Sequence, residues 1–322
     1  MSTIIRTGFL NIYKEAGFTS HDVVAKLRGM LHTKKIGHTG TLDPAATGVL
    51  PVAVGRATKA IDLLPDHSKA YTAELLLGTK TDTYDTTGVV LEKKEVHATE
   101  EQIAEAMRSF VGRIAQMPPM YSAKRVNGKR LYELARTGVE VEREPAAVQI
   151  DSIEIVEIRI PYVRFHVECS KGTYIRSLCY DIGEKLGCGG CMGELLRTRA
   201  GSFRLENALH LDEVQRAVDE NRIDAIFLPI DMAFENFPKG IVSKNLTNAA
   251  VNGALIPSKS VNLTEKADNT LNAASSGTAA KENDELSLSD APMVRLYLFD
   301  GRFLGLYSYD GRVYRIKKMF LE

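Results

Sequence analysis

Residues 37–59 read GHTGTLDPAATGVLPVAVGRATK, from Gly37 through Asp43-Pro44 to Lys59. Glycines at 37, 40 and 48 let backbone approach a neighbour or ligand closely, and Pro44 stiffens the turn after Asp43. Thr39, Thr41 and Thr47 can hydrogen-bond the bent chain, and Val49–Val54 is an apolar run suited to a strand. The stretch is therefore a rigid polar loop that carries one carboxylate into a strand. Read alone, Asp43 fits a structural turn residue as well as a reactive one.

Upstream, Thr19-Ser20 offers an N-cap, and Val23, Val24, Leu27, Met30 and Leu31 recur at helical spacing. Downstream, Ala70–Leu77 reads as a strand. Thr99 with Gln102 forms a possible capping box for a helix carrying Ile103, Met107, Phe110 and Val111. Two strands are expected at 150–160 and 162–169; in the second, Val163, Phe165, Val167 and Cys169 alternate with Arg164, His166 and Glu168. Thr173–Leu186 returns to helix, with Gly187 as its stop. Strands and helices mix without strict alternation, which favours an α+β fold over a doubly wound one.

The chain has 322 residues, 44% of them hydrophobic, enough for one large domain and a smaller one. No apolar run approaches the roughly 20 residues that span a bilayer. The N-terminus lacks the apolar core of a secretory signal, so a cytoplasmic protein is expected. Cys169, Cys179, Cys188 and Cys191 are expected to be reduced structural thiols. Cys188-Gly-Gly-Cys191 has no second CxxC or HxxxH partner, which argues against a metal site. The 41 basic and 41 acidic residues cancel, but residues 1–80 hold ten Lys/Arg against six Asp/Glu, and Ser122–Arg130 is a second basic cluster. Local basic surface is what phosphate binding uses, although a solvated face gives the same pattern.

Character changes near Phe237-Pro238, suggesting domains at 1–236 and 237–322. Apolar runs at 294–299, 303–309 and 313–320 are separated by Asp300-Gly301 and Asp310-Gly311, a hairpin signal. Between Pro257 and that sheet, residues 258–292 contain no aromatic residue and six Asp/Glu against three Lys. They read as a disordered or weakly ordered insertion.

The 37–59 stretch resembles the catalytic motif of the TruB family of pseudouridine synthases, and further matches follow in the same order. They are Lys69-Ala-Tyr71, Thr81-Asp-Thr-Tyr-Asp85, Gln116-Met-Pro-Pro-Met-Tyr-Ser-Ala123, Lys129-Arg-Leu-Tyr-Glu-Leu-Ala-Arg136 and Cys169-Ser-Lys-Gly-Thr-Tyr-Ile-Arg176, so the likeness covers nearly all of residues 8–200. The resemblance implies a mixed, mainly antiparallel sheet with flanking helices and a C-terminal β domain of PUA type, from which the 258–292 insertion departs. It implies isomerisation of the uridine at conventional position 55 in the T-loop of tRNA, by base flipping and without cofactor or metal. On that likeness Asp43 is the essential aspartate, Tyr71 the tyrosine that stacks on the target base, and Arg176 the arginine paired with the aspartate. Tyr174 and Leu195 would line the uracil pocket, His38 would insert into the T-loop in place of the flipped nucleotides, and Lys59 would lie near bound RNA. Asp82 and Asp85 are expected to orient loops or contact RNA rather than to act as a glycosidase pair. The partner expected is the tRNA T-arm, with no membrane and no guide RNA, and the protein a monomer. The alternatives are a guide-RNA-dependent enzyme of the dyskerin type and an RNA-binding or tRNA-folding protein without turnover.

Overall fold

The computed structural model describes residues 6–65, 67–122, 124–126, 128–138, 141–265 and 292–321. A nine-stranded sheet contains β1 (Gly8–Lys14), β2 (Ile36–His38), β3 (Thr47–Val54), β4 (Lys69–Leu77), β5 (Gly112–Gln116), β6 (Ala146–Arg159), β7 (Tyr162–Cys169), β8 (Gly190–Ala200) and β9 (Phe203–Arg204). Its main path runs β1-β3-β8-β4-β7-β6-β5, with β2 paired to β3 and β9 to β8. Every pairing is antiparallel except β3 with β8, where Thr47 faces Leu196 and Gly48 faces Arg197. The sheet is thus mixed and mainly antiparallel, as the resemblance implied, and strands and helices mix as an α+β fold requires.

The helices expected at 19–31 and after Thr99 are α1 (Ser20–Leu31) and α2 (Glu100–Arg108), each closed by a full capping box, Thr19 with Asp22 and Thr99 with Gln102. The third, α3 (Ile175–Lys185), starts two residues later than its apolar spacing suggested and ends with Gly187 left-handed just beyond it. A fourth, α4 (Leu211–Asp219), packs with α1. Sides are set by side-chain period. In β7 Val163, Phe165, Val167 and Cys169 are buried while their alternates are exposed. They face Ile103 and Met107 of α2 and Leu178, Cys179 and Ile182 of α3. Both faces of β1 and β3 are covered, which is why Val49–Val54 of β3 reads as an unbroken apolar run and why even Asn11 and Lys14 of β1 are buried. Leu10, Ile12, Leu50 and Val52 pack with Val24, Leu27 and Val214, whereas Phe9, Val49 and Ala53 pack toward Phe234, Leu306 and Phe320.

Leu306 lies in, and Phe320 directly follows, a six-stranded C-terminal sheet formed by β10 (Lys239–Val242), β11 (Ile256–Pro257), β12 (Val261–Glu265), β13 (Met293–Tyr297), β14 (Phe303–Tyr309) and β15 (Val313–Met319). Its order is β11-β15-β14-β13-β10-β12. Asp300 and Asp310 accept from the backbone N–H of Arg302 and of Arg312 and Val313, closing the two hairpins read from Asp-Gly. The expected insertion needs correction at its start. Residues 258–260 form a 3-10 turn, Ser243 N–H and Oγ both donate to the Ser260 carbonyl at 2.9 Å, and β12 pairs with β10 through Val261–Val242, Asn262–Ile241 and Leu263–Gly240. A strand of five residues with only Val261 and Leu263 apolar is too short a pattern to stand out, and backbone pairing at a sheet edge supplements the packing of Val261. The rest of that expectation, from residue 266 to 291, lies outside the described residues. Replacing Ser258–Pro292 by a short Gly/Ser linker should therefore cost roughly 1–3 kcal/mol of lost edge pairing, whereas a replacement that begins after Glu265 retains the strand. Thermal unfolding of the two variants side by side is the check; equal midpoints would mean the edge strand contributes nothing.

Among the described residues, no helix is long and apolar enough to cross a membrane.

Candidate active site

The loop between β2 and β3 lacks regular pairing, so its carbonyls need other donors. Three buried side chains supply them. Ser20, at the start of α1, accepts from Leu42 N–H at 2.8 Å and donates to the Leu42 carbonyl at 3.2 Å. Lys14, fully buried, donates to the carbonyls of Phe18 at 2.6 Å, Glu15 at 3.0 Å and Pro44 at 3.1 Å. Arg197, also fully buried, fans its guanidinium over the carbonyls of Val49 at 2.7 Å, Gly40 at 3.0 Å and Thr41 at 3.3 Å. Where β3 leaves the loop, Gly48 has φ of +103°, and a Cβ there would sit 2.2 Å from the Arg197 carbonyl oxygen, so only glycine permits this approach.

Asp43 projects from this support onto Arg176 in the first turn of α3. Nε lies 2.9 Å from Oδ2 and Nη2 lies 3.1 Å from Oδ1, a two-pronged contact. Arg176 is held from its other sides by the carbonyls of Tyr121 at 2.8 Å and Thr83 at 3.2 Å, and by Asp85 Oδ2 at 3.6 Å. Asp85 is itself fixed, its Oδ1 accepting from Thr87 Oγ1, Thr83 Oγ1 and Thr87 N–H. Asp82 instead closes its own loop by accepting from Val89 N–H at 2.7 Å. The Asp43 side chain keeps about a third of its surface open while Arg176 is almost wholly enclosed, at 36% and 6% exposure. Burial raises the Asp43 carboxyl above the usual aspartate range, Asp85 adds to this, and Arg176 and Lys14 pull it back. Lys14 is pushed down to about 8, by burial first, with Asp43 opposing the shift.

Tyr71 of β4 and Leu195 of β8 pack into the cluster that contains Leu42 and Ala46, on either side of Asp43 in sequence, together with Ile175. Burial pushes the Tyr71 phenol up to about 12, partly offset by Arg197, its cross-strand neighbour. Tyr174 precedes α3, its backbone gripped at both ends by Gln116, whose amide accepts from Tyr174 N–H at 2.8 Å and donates to its carbonyl at 3.0 Å. His38 ends β2; its Nδ1 is enclosed without a hydrogen-bond partner, and burial lowers its basicity, with Arg197 and His21 adding. Lys59 is exposed on the 3-10 segment Gly55–Leu63. It borders a groove of about 540 Å³ shared with Lys35, Arg56 and Leu321, where Arg56 Nη1 donates to the Leu321 carbonyl. The structure thus joins Asp43, Arg176, Tyr71 and Leu195 closely, sets Tyr174 beside Arg176, and leaves Lys59 in the groove between the sheets.

Lys14, Ser20 and Arg197 were not singled out from sequence as parts of this site. The signal of Lys14 and Arg197 is absent because a charged residue near apolar ones reads as a solvent-facing position, and Ser20 reads as part of an N-cap. All four cysteines are buried and free, and burial raises the Cys169, Cys179 and Cys191 thiols. Among the described residues, no group of three or more His, Cys, Asp or Glu is arranged to hold a metal ion.

Two family models match the chain: "TruB family pseudouridylate synthase (N terminal domain)" over residues 28–175 and "tRNA pseudouridylate synthase B C-terminal domain" over residues 176–235. The tRNA pseudouridine synthase B of Clostridium acetobutylicum is 41% identical over 312 residues, 97% of this chain and 99% of that protein. The protein of the same name from Clostridium kluyveri is 49% identical over 253 residues, 79% of this chain and 86% of its own. A chain in the crystal structure of a Cbf5-Nop10-Gar1 complex superposes with a TM-score of 0.70 at 26% identity, covering 98% of this chain and 85% of that one. A chain in the structure of an H/ACA RNP bound to a substrate RNA containing 2'-deoxyuridine gives 0.69 at 25% identity, with the same coverages. With relatives this similar over nearly its whole length, the chain belongs to the TruB family of pseudouridylate synthases.

Proposed function

We propose that the protein converts a uridine in the T-loop of tRNA, at conventional position 55, to pseudouridine, with Asp43 as the central group and no cofactor. The observation that carries this reading is the two-pronged Arg176–Asp43 contact on a loop fixed from beneath by Lys14, Ser20 and Arg197. Such support holds a reactive carboxylate in one geometry while one part of it stays open to substrate. In the reaction the C1′–N1 bond breaks, a C1′–C5 bond forms, the C5 proton leaves and N1 gains a proton. Asp43 acts on C6 or C1′ of the nucleotide, or as a base. Tyr71 enters the reaction as a neutral phenol, which supports stacking on the base as its first duty. Leu195 and Tyr174 line the uracil pocket. His38, held neutral by burial, suits insertion among unstacked bases better than phosphate pairing. Lys59 and the basic groove suit the RNA backbone, and the C-terminal sheet from about residue 237 forms a second, PUA-like RNA-binding domain.

The test is incubation of pure protein, as a monomer, with an unmodified tRNA transcript and with an isolated T-arm stem-loop, followed by chemical mapping of pseudouridine. Both substrates should be modified without added RNA. His38→Ala should slow the folded stem-loop by roughly tenfold, equivalent to about 1.4 kcal/mol of lost stacking, and an unstructured analogue much less. A second reading, dependence on a guide RNA, is favoured by the superposition on chains from H/ACA assemblies. An absolute need for an added small RNA would establish it in place of the first.

A further inference from the structure

A hairpin formed by Thr79–Thr81 and Val90–Lys93 lies against α3, and its loop reaches Arg176. The contacts fall on one stripe of the helix, at positions 176, 180 and 184, spaced four residues apart and hence on one face. Lys80 pairs with Glu184 at 2.7 Å, Tyr84 stacks on Tyr180 with ring centroids 4.1 Å apart and planes inclined 20°, and Thr83 and Asp85 grip Arg176. Tyr84 is therefore the residue between the two that hold the arginine. Among the described residues it is also one of three non-glycine residues with a left-handed backbone, φ being +64°. A bulky side chain rarely adopts that conformation, and strain of this kind persists only where surrounding contacts enforce it. Here the enforcement is visible. The Tyr84 carbonyl accepts from Met192 N–H at 2.9 Å, Thr86 N–H donates to the Met192 carbonyl at 2.9 Å, and the ring is caught by Tyr180. The left-handed turn at Tyr84 lets the Thr83 carbonyl and the Asp85 carboxylate both face α3 while the ring between them reaches the next turn of the helix.

We infer that Tyr84 is a positioning residue for the isomerisation: its stack on Tyr180 fixes the loop that aims Arg176 at Asp43. This rests on the reading of Asp43 and Arg176 as reactive groups. Neither tyrosine touches Arg176 with its ring in a hydrogen bond, so the action is through Thr83 and Asp85. Asparagine accepts the left-handed backbone and removes the ring, which makes Tyr84→Asn the cleanest probe. It should lower kcat by about 10- to 100-fold, the range for a catalytic group displaced by an ångström or less, with KM and tRNA affinity unchanged. Tyr84→Phe, which keeps the stack, should restore parental kcat. Tyr180→Leu should reproduce the kcat loss from the helix side, and the Tyr84→Asn/Tyr180→Leu pair should be no worse than either single change, because both remove one contact. The Tyr180 variant also serves if the first fails to fold. A parental kcat in Tyr84→Asn overturns the inference, and so does a rise in KM at constant kcat, which would make the tyrosine an RNA contact. Asp43→Asn is assayed beside them: if it turns over, the underlying site reading is wrong, whereas if it is inactive while Tyr84→Asn is unaffected, only this inference falls.

Discussion

Asp43→Asn should fold and bind tRNA like the parent while losing more than about 10³-fold in turnover. The fold survives because the substitution keeps shape and removes a charge that burial already disfavours. Arg176 would still donate to the carbonyls of Tyr121 and Thr83 and lie 3.6 Å from Asp85, so its charge is not left uncompensated. The expected stability change is within about 1 kcal/mol. Chemistry is lost because an amide is a poor nucleophile and a poor base at neutral pH, whichever carbon the carboxylate acts on. The same electrostatics set the acid limit of the parent. A carboxyl raised by burial takes up its proton at a higher pH than free aspartate does, so kcat should begin to fall, as pH is lowered, above the ordinary aspartate range. Pseudouridine mapping after single-turnover incubation decides the point, and retained turnover above roughly one per cent would remove Asp43 from its role.

Arg197→Met should cost about 3–5 kcal/mol, from three buried acceptors left unpaired at about 1–3 kcal/mol each and offset in part by removal of a buried charge, and, in the molecules that still fold, reduce kcat by about 100-fold. The side chain has no exposure, and its removal strands the carbonyls of Gly40, Thr41 and Val49 in a space methionine can fill but not hydrogen-bond. These carbonyls flank Asp43, and Gly48 presses its backbone against Arg197 itself, so the loop and the arginine have no independent positions. Arg197→Lys should be only partly better, since one ammonium on a flexible stem does not reproduce a planar fork that spans three acceptors. Denaturant unfolding measures the first effect and kcat per folded molecule the second. A stability loss under about 1 kcal/mol would mean that water or a shifted backbone satisfies those carbonyls.

What could be read before the fold was known follows the strength of each local signal. Period-two alternation placed β7 at its observed bounds, the capping box read from Thr99 and Gln102 forms, and the N-cap read at Thr19 proves to be a full box with Asp22. Asp300-Gly301 and Asp310-Gly311 announced their turns because glycine takes the positive φ found at both positions. The helix expected from Thr173 begins only at Ile175, because Gln116 holds Tyr174 extended from a strand almost sixty residues away. Asp43 and Arg176 were legible only through resemblance, since nothing local says that two residues 133 positions apart will meet. The buried cations were silent for a related reason. Lys14 ends a strand and Arg197 sits in an alternating Leu-Arg-Thr-Arg pattern, where a charge ordinarily faces solvent. What reverses that expectation is a set of loop carbonyls contributed by another part of the chain. The edge strand β12 carries little sequence signal because only Val261 and Leu263 of its five residues are apolar, and they sit in a long polar stretch.

The short parallel seam between β3 and β8 bears on how the molecule comes into being. It closes across contacts such as Arg197 to Val49, 148 residues apart, and Arg197 to Gly40, 157 apart. Closures of that span carry a large entropic cost before any contact offsets it, and they slow folding. A nascent chain that has emerged as far as α2 already contains Asp43 but neither Arg176 nor the strand that carries Arg197. During synthesis the carboxylate therefore emerges with Lys14 and Ser20 but before Arg176 and Arg197 exist to complete its support, and competence arrives late, with the seam.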